Sequence, residues 1–213
     1  MAKEGFSILF IVLFATVALL LLYFTMRSNF FLYCFFISVF LTMFVAYFFR
    51  DPERTIPQDP GLIVSPADGR VIEIAEEENK YMEGRARRVS IFLSVFNVHI
   101  NRIPAEGKVE MVKYFKGEFL AAWDEKASLK NEQTHIGLNC GKYKLLVKQI
   151  AGLIARRIVC KVHEGETYKR GDRLGLIKFG SRTDIFLPLN AQVKVKIGDK
   201  VAGGSSIIAV MPE

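Results

Sequence analysis

The chain has 213 residues, a formal net charge of +7 and a hydrophobic content of 51%. This length allows one catalytic domain and a smaller element. The basic charge would suit nucleic acid, but the sequence holds no nucleic-acid-binding motif, and its long apolar N-terminus favours a membrane instead. The cysteines Cys34, Cys140 and Cys160 lack metal-ligand spacing. We therefore predict a reducing compartment and no metal site.

Two uncharged apolar segments open the chain, Phe6 to Met26 and Asn29 to Phe49, with only Arg27 and Ser28 between them. Each reaches about 31 Å as an α-helix, which is enough to cross a bilayer core of about 30 Å. A signal peptide would have a shorter apolar core and a small-residue cleavage site. We therefore predict a membrane anchor of two helices over residues 1–49, either a transmembrane hairpin or a shallow re-entrant pair.

Basic residues around the anchor indicate its orientation. Lys3 precedes the first helix, Arg50 and Arg54 follow the second, and Arg27 lies at the tip between them. Because Lys and Arg near a membrane favour the cytoplasmic side, both termini are expected there. The predicted location is the cell membrane, with the domain that follows the anchor on its cytoplasmic side.

The rest of the chain divides into a linker and a domain. Residues 50–60 are polar, and their prolines oppose helix continuation. Residues 61–213 have the composition of a folded domain and hold the basic excess. A basic domain tethered at a membrane should favour an anionic lipid surface, at about 1 kcal/mol per well-placed Lys or Arg.

The domain is predicted to be mainly β, because short runs rich in Val and Ile alternate with polar or Gly-containing turns. One or two helical turns are predicted near Gly117–Lys130. Many short strands favour a barrel or a sandwich. The predicted strands are Val71–Ala75, Arg88–Leu93, Lys108–Tyr114, His135–Asn139, Lys142–Ile150, Ala155–Val162, Leu174–Phe179, Thr183–Leu187, Gln192–Ile197 and Ser206–Met211.

A weak internal repeat adds to the fold prediction. Lys169–Ile177 (KRGDRLGLI) is similar to Lys196–Gly204 (KIGDKVAGG), and both contain a Gly-Asp turn. These turns resemble those of lipoyl- and biotinyl-type domains. The expected fold is therefore a lipoyl-like barrel-sandwich that follows the helical anchor.

The pair Gly180-Ser181 lies between two predicted strands and is the candidate reactive step. Glycine permits backbone angles that other residues avoid, and the serine hydroxyl is a nucleophile when a base activates it. Attack of Ser181 on the Gly180 carbonyl would be an N-to-O acyl shift that leads to self-cleavage. Most Gly-Ser pairs are ordinary turns, so this interpretation requires a base and an orienting carboxylate.

Three histidines are available as the base. His99 directly follows an apolar strand, His135 begins another strand, and His163 lies in a polar turn where it is expected to be solvated. A carboxylate would fix the imidazole tautomer. Asp68 lies between Pro66-Ala67 and Gly69, a setting typical of a turn former. The residues alone do not favour Asp68 over other aspartates.

Five motifs occur in order along the domain. They are Ser65–Arg70 (SPADGR), Phe96–Arg102 (FNVHINR), Lys130–Gln133 (KNEQ), Gln149–Ile158 (QIAGLIARRI) and Lys178–Asp184 (KFGSRTD). Together they resemble the short, membrane-anchored phosphatidylserine decarboxylase proenzymes. The resemblance covers residues 50–213, and the apolar N-terminus is similar as well.

The resemblance implies a pyruvoyl enzyme that makes its cofactor by self-cleavage. Ser181 would attack Gly180 to give an ester, and β-elimination would release a large chain that ends at Gly180. The dehydroalanine left on the small chain would lose ammonia and become a pyruvoyl group. By matching position, Asp68 and His99 would join Ser181 as the self-cleavage triad. The pyruvoyl carbonyl would form a Schiff base with the substrate amine and accept the electrons of the departing carboxylate.

The implied reaction converts phosphatidylserine into phosphatidylethanolamine and CO₂. An ether-lipid analogue of the archaetidylserine type is the alternative substrate. A membrane-tethered, non-enzymatic lipoyl-like module ranks lower, because no lysine stands at a hairpin tip as in such carriers. A decarboxylase for a soluble amino acid ranks lower because of the two apolar segments. A homo-oligomer of the two-chain protein is compatible with the sequence.

Two further expectations concern the substrate. The longer family members carry a second histidine three residues before the position of His99, where this chain has Phe96. The proton donor after decarboxylation is therefore either His99 in a second role or His135. Contacts to the anionic headgroup are predicted for His135, Arg102 and Arg182, since a guanidinium fork suits phosphate. Two further arginines, Arg156 and Arg157, are weaker candidates.

Overall fold

A computed structural model describes residues 1–118, 130–152, 157–178 and 180–212. The chain divides into two compact units, Met1–Glu53 and Arg54–Glu213. Residues 54–60, in the predicted linker, belong to the second unit. There the Arg170 guanidinium donates hydrogen bonds to the carbonyl oxygens of Pro57 and Asp59.

The first unit is a pair of helices, α1 (Lys3–Met26) and α2 (Asn29–Phe48). Arg27 adopts a left-handed conformation with φ of 50° and ends α1, donating its N–H to the Tyr23 carbonyl. The next helix begins two residues later. This confirms the predicted helical hairpin.

Both helices are apolar and long enough to cross a membrane by length and composition. Their large side chains are mostly exposed; Phe14, for example, is 78% exposed. Polar atoms meet between the helices instead: Thr16 Oγ1 lies 2.6 Å from Ser38 Oγ and 3.1 Å from Thr42 Oγ1. Hydrogen bonds of this kind between apolar helices suit a lipid environment. The unit is therefore compatible with a membrane anchor.

The second unit is built from short strands, as the spacing of apolar runs and turns predicts. Its strands are β1 (Leu62–Val64), β2 (Gly69–Asn79), β3 (Gly84–Leu93), β4 (Ile100–Arg102), β5 (Gly107–Phe115), β6 (Gln133–Asn139), β7 (Lys144–Ala151), β8 (Ile158–Cys160), β9 (Thr167–Tyr168), β10 (Arg173–Ile177), β11 (Ser181–Leu187), β12 (Gln192–Val193), β13 (Lys200–Val201) and β14 (Ile207–Val210).

The largest sheet has eight antiparallel strands in the order β13-β2-β3-β11-β7-β6-β5-β9, and it curls as a half-barrel. Two three-stranded sheets accompany it, β1-β14-β12 and β4-β10-β8. One face of the large sheet carries fully buried residues such as Val89, Ile91 and Ile185, which form the main core. The mainly β prediction is thus confirmed.

The observed strands differ from the predicted ones mostly in length. Four strands of two or three residues, β1, β4, β9 and β13, were not predicted. The predicted strand Gln192–Ile197 keeps only its first two residues. The predicted helical turns near Gly117–Lys130 fall largely outside the described residues.

The internal repeat forms two matching turns. Asp172 Oδ2 accepts the N–H of Lys169 at 2.8 Å, and Asp199 Oδ2 accepts the N–H of Lys196 at 2.9 Å. The glycine before each aspartate has a positive φ, 86° at Gly171, which a side chain would strain. The first turn leads into β10 and the second into β13. The repeat therefore starts one strand in each of two different sheets.

Candidate active site

The Gly180-Ser181 step lies where the chain passes from one sheet to another. β10 belongs to the three-stranded sheet with β4, whereas β11 begins at Ser181 in the large sheet between β3 and β7. Gly180 has a φ of 61°, and a Cβ added there would meet nothing within 4 Å. The glycine is therefore required by its backbone conformation rather than by lack of space.

The Ser181 side chain is fully buried, and its Oγ has no hydrogen-bond partner among the described residues. A buried hydroxyl without a partner costs about 1–3 kcal/mol. Such a hydroxyl carries no stabilising bond that an attack on a neighbouring atom would have to break. The arrangement suits a nucleophile.

His99 contacts the same step. Its Nε2 accepts the N–H of Gly180 at 3.3 Å, and its Nδ1 lies 3.0 Å from the Asn97 carbonyl oxygen. These partners assign the proton to Nδ1, which donates to Asn97, and leave Nε2 unprotonated. The ring is only 2% exposed. His99 thus presents an acceptor nitrogen to the residue that precedes Ser181.

Asp68 is held by two groups. Its carboxylate accepts hydrogen bonds from Arg54 Nη2 at 2.7 and 3.0 Å and from the Gly203 N–H at 2.8 Å. Its loop lies against β4, because the Pro66 carbonyl accepts the backbone N–H of Arg102 at 2.8 Å. Asp68 is therefore fixed in a loop beside the strand that follows His99. Its role in orienting the imidazole stays a prediction.

A buried polar cluster lies on the face of the large sheet that carries Ser181. Asn101 Nδ2 donates to Thr183 Oγ1 at 3.2 Å, and Asn101 Oδ1 accepts from Gln149 Nε2 at 2.8 Å. All three residues are fully buried. They belong to the motifs quoted above, but sequence reasoning gave them no role. The sequence did contain one signal for Thr183. Side chains alternate between the two faces of a strand, so Thr183, two residues after Ser181, shares its face.

His135 lies on the opposite face of this sheet. In the strand register His135 pairs with Lys148, and Lys148 pairs with Asp184. His135 therefore shares the face of Asp184, whereas the neighbouring Thr183 shares the face of Ser181. Its Nε2 is 2.8 Å from Gln133 Oε1. Burial above all, together with the charges of Lys148 and Lys113, lowers the pKa of His135 to about 3. His135 is therefore neutral near pH 7 and on the other side of the sheet from Ser181.

Arg182 is bound within the protein on that opposite face. Its Nε donates to Asp184 Oδ1 at 2.7 Å, and its Nη2 donates to Ser90 Oγ at 2.8 Å and Glu73 Oε2 at 3.2 Å. The hydrogen bond from Arg88 lowers the pKa of Glu73 below its usual value. Arg182 is 1% exposed. These contacts indicate a structural ion-pair network rather than a headgroup contact.

The remaining predicted residues are spread over the second unit. The Arg102 side chain is 6% exposed, and its Nη1 donates to the Gly171 carbonyl at 3.0 Å. Arg157 and His163 are exposed, and Arg156 lies outside the described residues. Phe96 is 65% exposed, three residues before His99.

The chain also matches known proteins. The family model for phosphatidylserine decarboxylase matches residues 41–209. A phosphatidylserine decarboxylase proenzyme of Symbiobacterium thermophilum is 51% identical over 81% of this chain and 81% of its own length. The proenzyme of Geotalea uraniireducens is 43% identical over 99% of this chain and 96% of its own length. The chain belongs to the phosphatidylserine decarboxylase family.

Proposed function

We propose that this chain is the precursor of a membrane-bound decarboxylase that converts phosphatidylserine into phosphatidylethanolamine and CO₂. It matures by cutting itself between Gly180 and Ser181. The observation that carries the proposal is the buried Ser181 Oγ, without a partner among the described residues, beside a glycine bound by His99. The decarboxylation itself is inferred from membership of the phosphatidylserine decarboxylase family.

Self-cleavage requires no co-reactant other than water. Ser181 Oγ loses its proton to His99 Nε2 and bonds to the Gly180 carbonyl carbon, and the Gly180–Ser181 peptide bond breaks to leave an ester and a free amine. Removal of the Ser181 Cα proton then breaks the Cβ–Oγ bond. This releases Gly180 as a carboxylate and leaves dehydroalanine, which water converts to a pyruvoyl group and ammonia.

His99 is the proposed base for this sequence. The Nε2 atom already lies against Gly180, and the bond from Nδ1 to Asn97 holds the tautomer that a base needs. Asp68 is the proposed third member of the triad. Fixed by Arg54 and Gly203, it contributes negative charge near a strand that follows directly from His99, and this charge would favour the imidazolium that forms.

The pyruvoyl group fits the position of Ser181, and its carbonyl supplies the electron sink for loss of the carboxylate. The chain's own residues do the rest. β3 and β7 hold residue 181 from both sides in the sheet, and the surrounding core excludes water. His99 is the proposed proton donor to the product carbon. His135 is not chosen, because it lies on the opposite face and has a pKa of about 3.

The helical hairpin is the proposed anchor that keeps the domain at its lipid substrate. We place the domain on the cytoplasmic side because of the basic residues that flank the hairpin. The basic domain would favour an anionic lipid surface, and the two-chain protein is compatible with a homo-oligomer. Arg102 remains the proposed headgroup contact, whereas Arg182 is left out because of its internal ion pairs.

Two measurements test the proposal. Intact mass of the purified protein should show a chain Met1–Gly180 and a chain from residue 181 to Glu213 that resists Edman sequencing. Headgroup-labelled phosphatidylserine in detergent micelles should yield labelled phosphatidylethanolamine, with the ether-linked analogue assayed in parallel. An active but uncut chain would refute the cleavage. A cut chain that leaves both lipids untouched would refute the substrate class.

A further inference from the structure

We propose that Asn101 and Thr183 are positioning residues for self-cleavage, whose mutual hydrogen bond holds His99 in place relative to Ser181. The inference rests on the self-cleavage proposed above and adds two residues that do not touch the reacting atoms. Asn101 lies two residues after His99, and Thr183 lies two residues after Ser181. The bond between them therefore joins the segment of the base to the segment of the nucleophile.

The two segments belong to different sheets. β4 pairs with β10, and β11 pairs with β3 and β7. No ladder of backbone hydrogen bonds therefore runs between β4 and β11 in the part of the chain that the structure describes. The 3.2 Å bond from Asn101 Nδ2 to Thr183 Oγ1 bridges this junction with side chains.

Asn101 also contacts the third segment of the proposed triad. Its Nδ2 lies 3.4 Å from the Pro66 carbonyl, two residues before Asp68, while its Oδ1 accepts from Gln149 on β7. One side-chain amide thus contacts the loop of Asp68, the strand that begins at Ser181 and a neighbouring strand of the large sheet. Because Asn101, Thr183 and Gln149 are fully buried, water does not compete for these bonds.

Small displacements at such a junction matter for rate. A misplacement of about 1 Å between reacting groups can cost about 100-fold in rate. The hydroxyl of Thr183 accepts the hydrogen bond from Asn101, so removing it should loosen β4 against β11 while the apolar core stays filled. The two halves of the threonine side chain, hydroxyl and methyl, can be removed separately.

The experiment follows self-cleavage of full-length protein during cell-free synthesis into nanodiscs of phosphatidylcholine and phosphatidylglycerol. Thr183→Val keeps the shape and loses the hydroxyl, whereas Thr183→Ser keeps the hydroxyl and loses a methyl from the core. We expect Thr183→Val to slow cleavage by about 10- to 100-fold and Thr183→Ser to cleave at the wild-type rate. Asn101→Ala should be at least as slow as Thr183→Val.

Ser90→Ala is the matched control for loss of a buried hydroxyl. Ser90 is fully buried in the same sheet but on the opposite face, where its Oγ accepts from Arg88 and Arg182. The variant should lower the thermal midpoint and leave cleavage normal. Thr183→Ser should likewise lower the midpoint without slowing cleavage, which a purely structural role of Thr183 does not predict.

The outcomes separate this inference from the proposed function. Wild-type cleavage in Thr183→Val, or equal slowing in Thr183→Ser and Thr183→Val, would overturn the positioning role alone. A wild-type chain that is never cut would overturn the proposed function, and this inference with it. Slow cleavage in Thr183→Val, with normal cleavage in Thr183→Ser and Ser90→Ala, supports it.

Discussion

Replacing His99 with alanine should leave the precursor largely uncut. The ring is 2% exposed, and its Nε2 is the acceptor that faces Gly180. Alanine removes both that acceptor and the Nδ1 donor that Asn97 binds. A positioned general base contributes about 10²–10⁴-fold in rate, which corresponds to about 3–5 kcal/mol in activation free energy at 1.36 kcal/mol per tenfold.

The assay is a time course of newly synthesised protein on a denaturing gel, which measures the uncut fraction directly. Cleavage of His99→Ala should be slower than wild type by about 10²-fold or more. His163→Ala is the control, because His163 is exposed in a polar turn, and it should cleave normally. Normal cleavage of a folded His99→Ala variant would refute the reasoning and assign the base elsewhere.

Three other predictions concern stability, pH and the membrane. Asp184→Ala should destabilise the protein by about 3 kcal/mol in a denaturant titration, since it leaves buried Arg182 without one partner; an unchanged midpoint would contradict this. The pKa of His135 is about 3 in the folded protein and about 6.5 in the unfolded chain. As the pH falls below about 6.5, the unfolded chain therefore binds the proton first, and the folded state loses stability. Thermal midpoints of His135→Leu should therefore fall less between pH 7 and 5 than those of wild type. Full-length protein should stay in membranes after a high-salt wash, because screening does not weaken apolar burial; release by salt alone would exclude the hairpin as an anchor.

The parts of the fold that were predicted depend on local pattern. The helical hairpin follows from two uninterrupted apolar segments, and the long strands β2, β3, β5, β6, β7 and β11 follow from Val- and Ile-rich runs between turns. The strand β4 has only three residues, and its pairing with β10 is decided by tertiary contacts. Such short strands carry too few residues for a period of two to be recognised.

The candidate site likewise contains residues that local sequence predicts and residues whose placement depends on tertiary structure. His99 and the Gly180-Ser181 step were identified from motifs, and the structure brings them into contact. The separation of His135 from Ser181 required the strand register, because a shift of one residue would exchange the two faces. The burial of Arg182 was equally hidden, since an arginine in a strand is exposed more often than buried. Two ion pairs make its burial tolerable, and only the one to Asp184 is local; the other comes from Glu73, more than 100 positions away in sequence.

The location of the cleavage step between two sheets predicts that the two chains stay together after the cut. The small chain would keep β11 in the middle of the large sheet, with β3 on one side and β7 on the other, and would keep β14 paired with β1. Its residues Ile185, Leu187 and Ile208 are fully buried in the main core.

Burial of each large apolar side chain stabilises the folded state by about 1.5–3 kcal/mol. The sum over the small chain far exceeds the conformational entropy that one broken peptide bond releases. The cut protein should therefore elute as one species in size-exclusion chromatography in mild detergent, and it should give two bands only on a denaturing gel. Ser181→Ala, which cannot form the ester, is the uncut reference and should elute at the same volume. Separation of the small chain under native conditions would show that β11 is not held as the sheet indicates, and residue 181 would then lack the fixed position that the proposed chemistry requires.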